Sequence, residues 1–161
     1  EAGECFFPLE LDINLGDGEK GSIEEVLPEL ISEHKSIDVL VNNAGYGLWG
    51  PIEGISVAEM EDQCKTNVFA PVRLSKLLIS NMRERGYGRI INISSVAGGV
   101  ATPFNGAYAS SKFALEAQTE ALRMEVWSVG VTVALMQPGL VDNDFQSNMV
   151  QGMDAESEEL P

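Results

Sequence analysis

The stretch NISSVAGGVATPFNGAYASSK, residues 92–112, joins the end of a predicted buried strand to the start of a predicted helix through a loop of small residues. Ser95 lies at the carboxyl end of the strand. Tyr108 and Lys112 follow at helical spacing, so their side chains share one face of the helix. A Tyr-x-x-x-Lys pair alone is weak evidence, because it arises by chance about once in every few chains of this size. Its meaning therefore depends on the rest of the chain.

Apolar runs that are typical of buried strands alternate with longer helical patterns on both sides of this stretch. Strands are predicted at 5–13, 37–45, 88–95 and 130–139, and helices at 22–34, 56–86 and 107–127. Strands that are apolar on both faces and separated by helices predict a parallel sheet covered on both sides. We therefore expect an α/β fold, a Rossmann-like doubly wound parallel sheet that is incomplete at both ends, with residues 1–161 forming a single partial domain.

The composition narrows the possible functions. The 161 residues are 44% apolar and 22% charged, which is ordinary for a soluble globular domain. A net charge of −15 predicts repulsion from nucleic acid and anionic membranes, and no apolar run approaches the roughly 18 residues of a membrane helix. Cys5 and Cys64 show no metal-ligand spacing, so we expect no metal site and reduced thiols in a cytoplasmic protein.

The segment GDGEKG, residues 16–21, matches the G-x-G-x-x-G pattern of a dinucleotide-binding loop. Ser22 and Glu25 form a predicted capping box that starts the next helix at Ser22, so all three glycines would lie outside the helix. Asp17 and Glu19 would also repel a pyrophosphate. We interpret this segment as a solvated loop.

Three further motifs surround the Tyr–Lys pair: NNAG ends the preceding strand, Asn67 lies on the helix between the strands, and PG ends the following strand. With these motifs in this order, the chain resembles the short-chain dehydrogenase/reductase family, in its compact cytosolic class, from about Cys5 to Phe145. The resemblance implies an NAD(P)-binding Rossmann fold and an oxidoreductase that uses NAD or NADP on an alcohol or ketone. It also implies a homodimer or homotetramer, with Leu74, Leu77, Leu78, Met82, Phe113, Ala117, Ala121 and Met124 at the contact.

The resemblance assigns the site residue by residue. Its catalytic residues fall on Asn67, Ser95, Tyr108 and Lys112. Its cofactor-binding residues fall on Asp12, Ile13, Asn42, Ala44, Gly45, Tyr108, Lys112, Pro138, Gly139 and Val141. Asn143 stands where the family commonly has threonine. The family's glycine-rich phosphate loop has no counterpart here, and we expect it before Glu1, so that the chain is the middle portion of a longer enzyme and holds a cofactor weakly alone.

The residue types suit proton transfer to a carbonyl oxygen. An unperturbed tyrosine has a pKa of about 10, which makes it a slow acid–base catalyst at neutral pH. The Lys112 ammonium, about 4 Å away at an effective dielectric constant of about 20, is expected to lower the pKa of Tyr108 by more than about one unit. The Ser95 hydroxyl is suited to hold the substrate oxygen, whereas Ser94 faces the opposite way and is predicted to take no part.

Other interpretations stay open. A non-catalytic or truncated member of the family would also carry these motifs without the phosphate loop. A sugar-nucleotide epimerase shares Tyr-x-x-x-Lys but fits poorly with NNAG and the short Ser-to-Tyr spacing. Trp49, Phe104 and Phe145 form either an apolar substrate wall or ordinary packing.

Pro71 predicts a break in the helix that carries Asn67. Proline has no N–H to donate to the carbonyl of residue 67, and its ring crowds that carbonyl, so the helix must bend or open there. A buried carbonyl seldom stays unpaired. We expect an ordered water between the Asn67 carbonyl and Lys112, continuing the proton path that the resemblance implies, although a kink that serves packing alone is the alternative.

Overall fold

The computed structural model describes residues 8–140 and the backbone of residues 150 and 151. Its helices and strands are, in chain order, α1 (Ile23–His34), β1 (Val39–Asn42), β2 (Leu48–Trp49), α2 (Val57–Cys64), α3 (Ala70–Arg85), β3 (Gly88–Ile93), α4 (Gly106–Val126), β4 (Val131–Met136) and β5 (Val150–Gln151).

Within residues 8–140, the main sheet has three parallel strands in the order β1-β3-β4. Asn42 lies level with Asn92, and Ile93 with Met136, so the three carboxyl ends meet at one edge. β2 and β5 pair in parallel as a separate two-stranded sheet. The α/β architecture with a parallel sheet and crossover helices confirms the predicted fold class.

One apolar core joins the helices to the main sheet. Its buried residues include Ile23 and Leu27 of α1, Leu78, Ile79 and Met82 of α3, Ile90 of β3, Val126 of α4, and Val131 and Val133 of β4. In β4, buried or partly buried side chains alternate with exposed ones, because successive side chains of a strand point to opposite faces of the sheet and only one face is covered. The sequence predicts a sheet covered on both faces, whereas the described helices cover one face. None of the helices within residues 8–140 is long and apolar enough to cross a membrane.

Two local predictions near the start of the chain are wrong. Residues 8–13 of the predicted strand 5–13 form no strand, because no described strand pairs with them and Pro8 has no N–H for a ladder bond. Ser22 is the N-cap of α1, as predicted, but its hydroxyl makes no cap bond, so the capping box is incomplete. The Glu25 carboxylate accepts instead from the backbone N–H of Gly21, the residue before the N-cap, at 2.5 Å.

The glycine-rich loop lies outside α1, as predicted. Gly18 and Gly21 have φ values of +85° and +84°, in the left-handed region where glycine is favoured. These two glycines therefore shape a turn before the helix.

The predicted helix 56–86 is interrupted where Pro71 predicts it. Lys65–Phe69 form a π-helical turn between α2 and α3, in which the N–H of Ala70 reaches the carbonyl of Lys65, five residues back. Because Pro71 cannot donate to the Asn67 carbonyl, uniform α-helical bonding cannot continue through this point. The opening of the helix at Asn67 is thus confirmed.

A complete capping box, formed by Ser56 and Glu59, starts α2.

Candidate active site

Tyr108 and Lys112 lie one turn apart on the sheet-facing side of α4, and both are buried, with 7% and 5% of their surface exposed. Lys112 Nζ is 5.7 Å from the centroid of the Tyr108 ring. The ammonium donates a 2.9 Å hydrogen bond to the carbonyl of Ile93, the last residue of β3. The carboxyl end of β3 therefore positions this lysine directly.

Ser95 joins the pair from the strand side. It begins a short 3₁₀ turn, Val96–Gly98, and its hydroxyl oxygen accepts from the N–H of Ala97 at 3.2 Å. The Ser95 and Tyr108 side chains are hydrogen-bonded to each other. The structure thus brings Ser95, Tyr108 and Lys112 together, as their order in the sequence predicts.

Asn67 is almost fully buried beside this cluster, with 1% of its surface exposed. Its amide donates to the Tyr46 carbonyl at 2.9 Å and to Ser111 Oγ at 3.0 Å, while its oxygen accepts from the Tyr46 N–H at 3.1 Å. Ser111 in turn donates to the carbonyl of Tyr108. The π-helical turn therefore holds the loop after NNAG and the Tyr108 helix together through one side chain.

The expected lowering of the Tyr108 pKa is wrong for this structure. Burial raises the pKa of the phenol, and the hydrogen bond with Ser95 offsets this only in part. The Lys112 ammonium is directed to the Ile93 carbonyl. Tyr108 therefore keeps its proton at neutral pH, which suits a proton donor.

Burial also changes Lys112, and in the opposite direction. Removing the ammonium from water disfavours its charge and lowers the pKa of Lys112 from 10.5 to about 8. At pH 7 the side chain is still mostly protonated. The site consequently combines a protonated phenol with a positively charged amine in a buried environment.

The residues expected to bind a nicotinamide cofactor lie along the strand ends. Gly45 is within reach of the cluster: a Cβ there would lie 3.0 Å from Asn67 Oδ1 and 3.6 Å from Lys112 Nζ. Asn42 is buried and donates to Asn92 Oδ1, but its own oxygen has no partner among the described residues. Ala44 is exposed, and a Cβ at Gly139 would meet no atom of the described residues within 4 Å. These features fit a nicotinamide group. They are a buried Asn42 oxygen with no partner among the described residues, an exposed rim at Ala44, and Gly45 beside the Lys112 ammonium.

The predicted adenine contacts, Asp12 and Ile13, lie in the segment before α1. Asp12 is exposed and accepts from the N–H of Asn14, while Ile13 packs against the core. Asn14 Oδ1 accepts from Thr66 Oγ1, next to Asn67, so this segment is linked to the π-helical turn. Pro138 accepts from the N–H of Val96 at 3.1 Å, whereas the predicted contact Val141, with Asn143, lies outside the described residues.

Two of the three predicted wall residues are described, and both are partly exposed, Trp49 by 38% and Phe104 by 52%. Phe104 has a φ of +64°, which is unusual for a bulky residue, and its carbonyl accepts from the N–H of Gly50 at 2.9 Å. The bond ties the segment after β2 to the start of the Tyr108 helix. Phe145 lies outside the described residues.

Several polar residues of the site were not predicted. Gln63 is fully buried and donates to the Tyr46 carbonyl, next to the Asn67 bonds. Ser111 contacts Asn67, and Glu116 lies one further turn along α4 from Lys112. The spacing of Tyr108, Lys112 and Glu116, four residues each time, was the available signal for Glu116.

The helix residues predicted at a subunit contact divide into two groups. Leu78 and Met82 are buried in the chain's own core, and Leu74 and Leu77 pack against it, because α3 uses this face to cover the sheet. Phe113 and Met124 of α4 are exposed, by 45% and 72%. A groove of about 300 Å³ runs between α3 and α4 and is lined in part by Val72, Lys76, Gln118 and Ala121.

The sequence is similar to those of known proteins. A family model described as short chain dehydrogenase matches residues 1–154. A 3-ketodihydrosphingosine reductase of Bacteroides thetaiotaomicron is 40% identical over 127 residues, 79% of this chain and 47% of that protein. Human retinol dehydrogenase 8 is 44% identical over 114 residues, 71% of this chain and 37% of that protein.

Solved structures match as well. A short-chain dehydrogenase from Streptomyces avermitilis superimposes with a TM-score of 0.79 at 36% identity, over 85% of this chain and 50% of that chain. A metagenomic short-chain oxidoreductase in complex with NADP gives 0.66 at 35% identity, over 71% and 51%. A 4-hydroxyisoleucine dehydrogenase complexed with NADH gives 0.75 at 29% identity, over 82% and 57%. The chain thus spans about half the length of the relatives and structures that it matches.

Proposed function

The chain belongs to the short-chain dehydrogenase family, and on this premise we propose that the protein is an oxidoreductase that transfers a hydride between NAD or NADP and an alcohol or ketone. The observation that carries the proposal is the cluster of the partly buried Ser95 with the buried Tyr108 and Lys112 at the carboxyl end of β3. Ligands of parallel α/β sheets bind beyond the carboxyl ends of the strands, which is where this cluster lies.

Residues of this chain would hold the cofactor by its nicotinamide half and by its adenine. The residues proposed to contact the adenine are Asp12 and Ile13. Those proposed to contact the nicotinamide half are Asn42, Ala44, Gly45, Tyr108, Lys112, Pro138, Gly139 and Val141. When bound, the nicotinamide group would supply or accept the hydride. The cofactor is proposed to be NAD or NADP, and a cytoplasmic location stays a prediction.

Tyr108 is proposed as the proton donor to the substrate oxygen during carbonyl reduction. Its pKa is raised by burial, so the phenol keeps its proton until negative charge develops on a nearby oxygen. Ser95, already hydrogen-bonded to the phenol, is placed to hold that oxygen. The positive charge of Lys112, close to the ring, stabilises the phenolate that forms.

Asn67 is proposed to extend the proton path. The π-helical turn opens the backbone at this residue, and the Asn67 side chain already connects Tyr46 to Ser111 beside Lys112. A water between the Asn67 carbonyl and Lys112 stays a prediction, as does the alternative that Pro71 serves packing alone.

An apolar substrate fits the rim of the site. Trp49, Ile52 and Phe104 expose a third or more of their surface. Phe104 lies just before the Tyr108 helix, Ile52 lies against Gly106 at its start, and Trp49 precedes Gly50, whose N–H donates to the Phe104 carbonyl. Two relatives are named for a ketone, 3-ketodihydrosphingosine, and for an alcohol, retinol. We propose that these side chains contact the apolar part of a substrate.

Nicotinamide fluorescence tests the proposal against a non-catalytic member of the family. The complete gene product is expected to bind NADH or NADPH, with a change in the emission of the reduced nicotinamide, and to oxidise it when a ketone is added. Binding without turnover over a panel of apolar ketones and alcohols would favour the non-catalytic alternative. No binding of either cofactor would reject the proposal.

The exposed side of α4 is proposed to join two subunits. Four apolar residues are spaced along it beside the α3–α4 groove, Phe113, Ala117, Ala121 and Met124.

Light scattering of the complete gene product is expected to give the mass of a dimer or tetramer. Phe113→Glu is expected to lower that mass, because it places a charge in an apolar contact, whereas Val57→Glu on exposed α2 leaves it unchanged. A monomeric wild-type protein would contradict this part of the proposal.

A further inference from the structure

A second hydrogen-bonded cluster lies behind the Ser95 turn. Glu116 Oε1 accepts from Ser94 Oγ at 2.8 Å and from Gln137 Nε2 at 2.7 Å. Ser94 follows the last residue of β3, and Gln137 follows the last residue of β4. One carboxylate on α4 therefore bonds to the carboxyl ends of two strands, and Ser94, for which the sequence predicts no role, is one of its two donors.

The Ser95 turn packs directly against this carboxylate. A Cβ at Gly98, the last residue of the turn, would lie 2.1 Å from Glu116 Oε1 and 2.7 Å from Ser94 Oγ. Real Cβ atoms do not approach other atoms so closely. Only glycine therefore allows the turn to occupy its position while Glu116 keeps its two bonds.

Backbone bonds connect the same elements. The N–H of Val96 donates to the carbonyl of Pro138 at 3.1 Å, and the N–H of Ser94 donates to that of Met136 at 2.7 Å. The Ser95 turn and the Pro138–Gly139 segment are thus hydrogen-bonded to each other, and Glu116 connects the strand ends that carry them to the helix that carries Tyr108.

We infer that Glu116 is a positioning residue, which sets the Ser95 hydroxyl and the Pro138–Gly139 segment relative to the Tyr108 phenol. The effect on turnover rests on the proposed function, whereas the effect on the Ser95 turn does not. Small displacements of groups that align a substrate are costly, since about 1 Å can lower a rate about a hundredfold.

The first test compares two variants of Glu116 in the complete gene product. Glu116→Ala removes the acceptor and is expected to lower kcat about 10- to 100-fold with saturating cofactor and substrate. Glu116→Gln keeps an acceptor oxygen of the same reach and is expected to retain most of kcat. A residue that served stability alone would lower the melting temperature of both variants and leave kcat unchanged, which would overturn the inference.

The second test uses the close approach of Gly98. Gly98→Ala is expected to displace the carboxylate and so reproduce the kcat of Glu116→Ala. The double variant is then expected to be no worse than either single variant, because both remove the same contact. Gly99→Ala is the matched control, since the nearest atom to its Cβ would be the Val96 carbonyl oxygen at 3.8 Å, an ordinary contact. Multiplied losses in the double variant would overturn the inference.

Amide hydrogen exchange separates this inference from the proposed function. The Val96 and Gly98 amides, which donate to Pro138 and Ser95, are expected to exchange at least about tenfold faster in Glu116→Ala and at the wild-type rate in Gly99→Ala. Faster exchange in a protein that never oxidises NADH or NADPH would reject the oxidoreductase and support the positioning role. Unchanged exchange would overturn the positioning role, whatever the activity.

Discussion

Tyr108→Phe is expected to lower kcat about a hundred- to ten-thousandfold while cofactor affinity changes less than about threefold. General acid catalysis by a positioned side chain contributes a factor of this size, and phenylalanine keeps the ring but has no proton to donate. The kcat is measured from the oxidation of NADH or NADPH in the presence of a ketone. Cofactor binding is measured separately by fluorescence.

Two controls define this result. Tyr87→Phe removes the hydroxyl of an exposed tyrosine at the end of α3 and is expected to leave kcat unchanged. The melting temperature of Tyr108→Phe reports whether the loss reflects unfolding. A Tyr108→Phe variant that kept a tenth of wild-type turnover would show that another group donates the proton.

Lys112→Met is expected to abolish most turnover and yet to stabilise the folded protein. Turnover falls because the positive charge beside Tyr108 is lost, and cofactor binding weakens because this side chain is proposed to contact the nicotinamide half. Stability rises because the wild-type protein buries an ammonium whose pKa is depressed to about 8. That depression corresponds to roughly 3 kcal/mol, which the hydrogen bond to Ile93 partly offsets, so a net gain of about 1 kcal/mol is expected at pH 7.

The dependence on pH identifies the cause of this gain. The folded-state pKa of Lys112 lies below its unfolded value, so the unfolded chain binds more protons between about pH 8 and 10.5. The penalty is fully present below pH 8 and is relieved as pH rises through this window. The urea midpoint of wild type is therefore expected to approach that of Lys112→Met between pH 8 and 10. A constant difference between wild type and Lys112→Met across this range would assign the effect to another cause.

Much of the candidate site could be predicted because its residues are local in sequence. Tyr108 and Lys112 share one helix, and Ser95 ends the strand before it, so the order of these elements places all three at one sheet edge, whereas their catalytic roles rest on the family resemblance. Pro71 likewise predicts the interruption at Asn67, because a missing N–H is a property of the residue itself. These predictions needed no knowledge of how distant segments pack.

The features that sequence analysis missed depend on packing between segments. The raised pKa of Tyr108 follows from burial, which a helical spacing does not reveal. Glu116 meets Gln137 only because α4 crosses two strand ends, although they are distant in the chain. Ser22 and Glu25 have the spacing of a capping box, but the surroundings of a buried serine, rather than the motif, decide where its hydroxyl points.

The π-helical turn has a consequence for how insertions and deletions in this region are aligned. A hydrogen bond from Ala70 to Lys65 encloses one residue more than an α-helical bond does, so Val57–Arg85 contains one residue beyond what a uniform helix of the same span needs. A homologous sequence that is one residue shorter here can keep both flanking helices in register and close the helix into regular α geometry. The gap then belongs inside Lys65–Phe69 rather than in a loop, and the position of Asn67 is what such a sequence would lose.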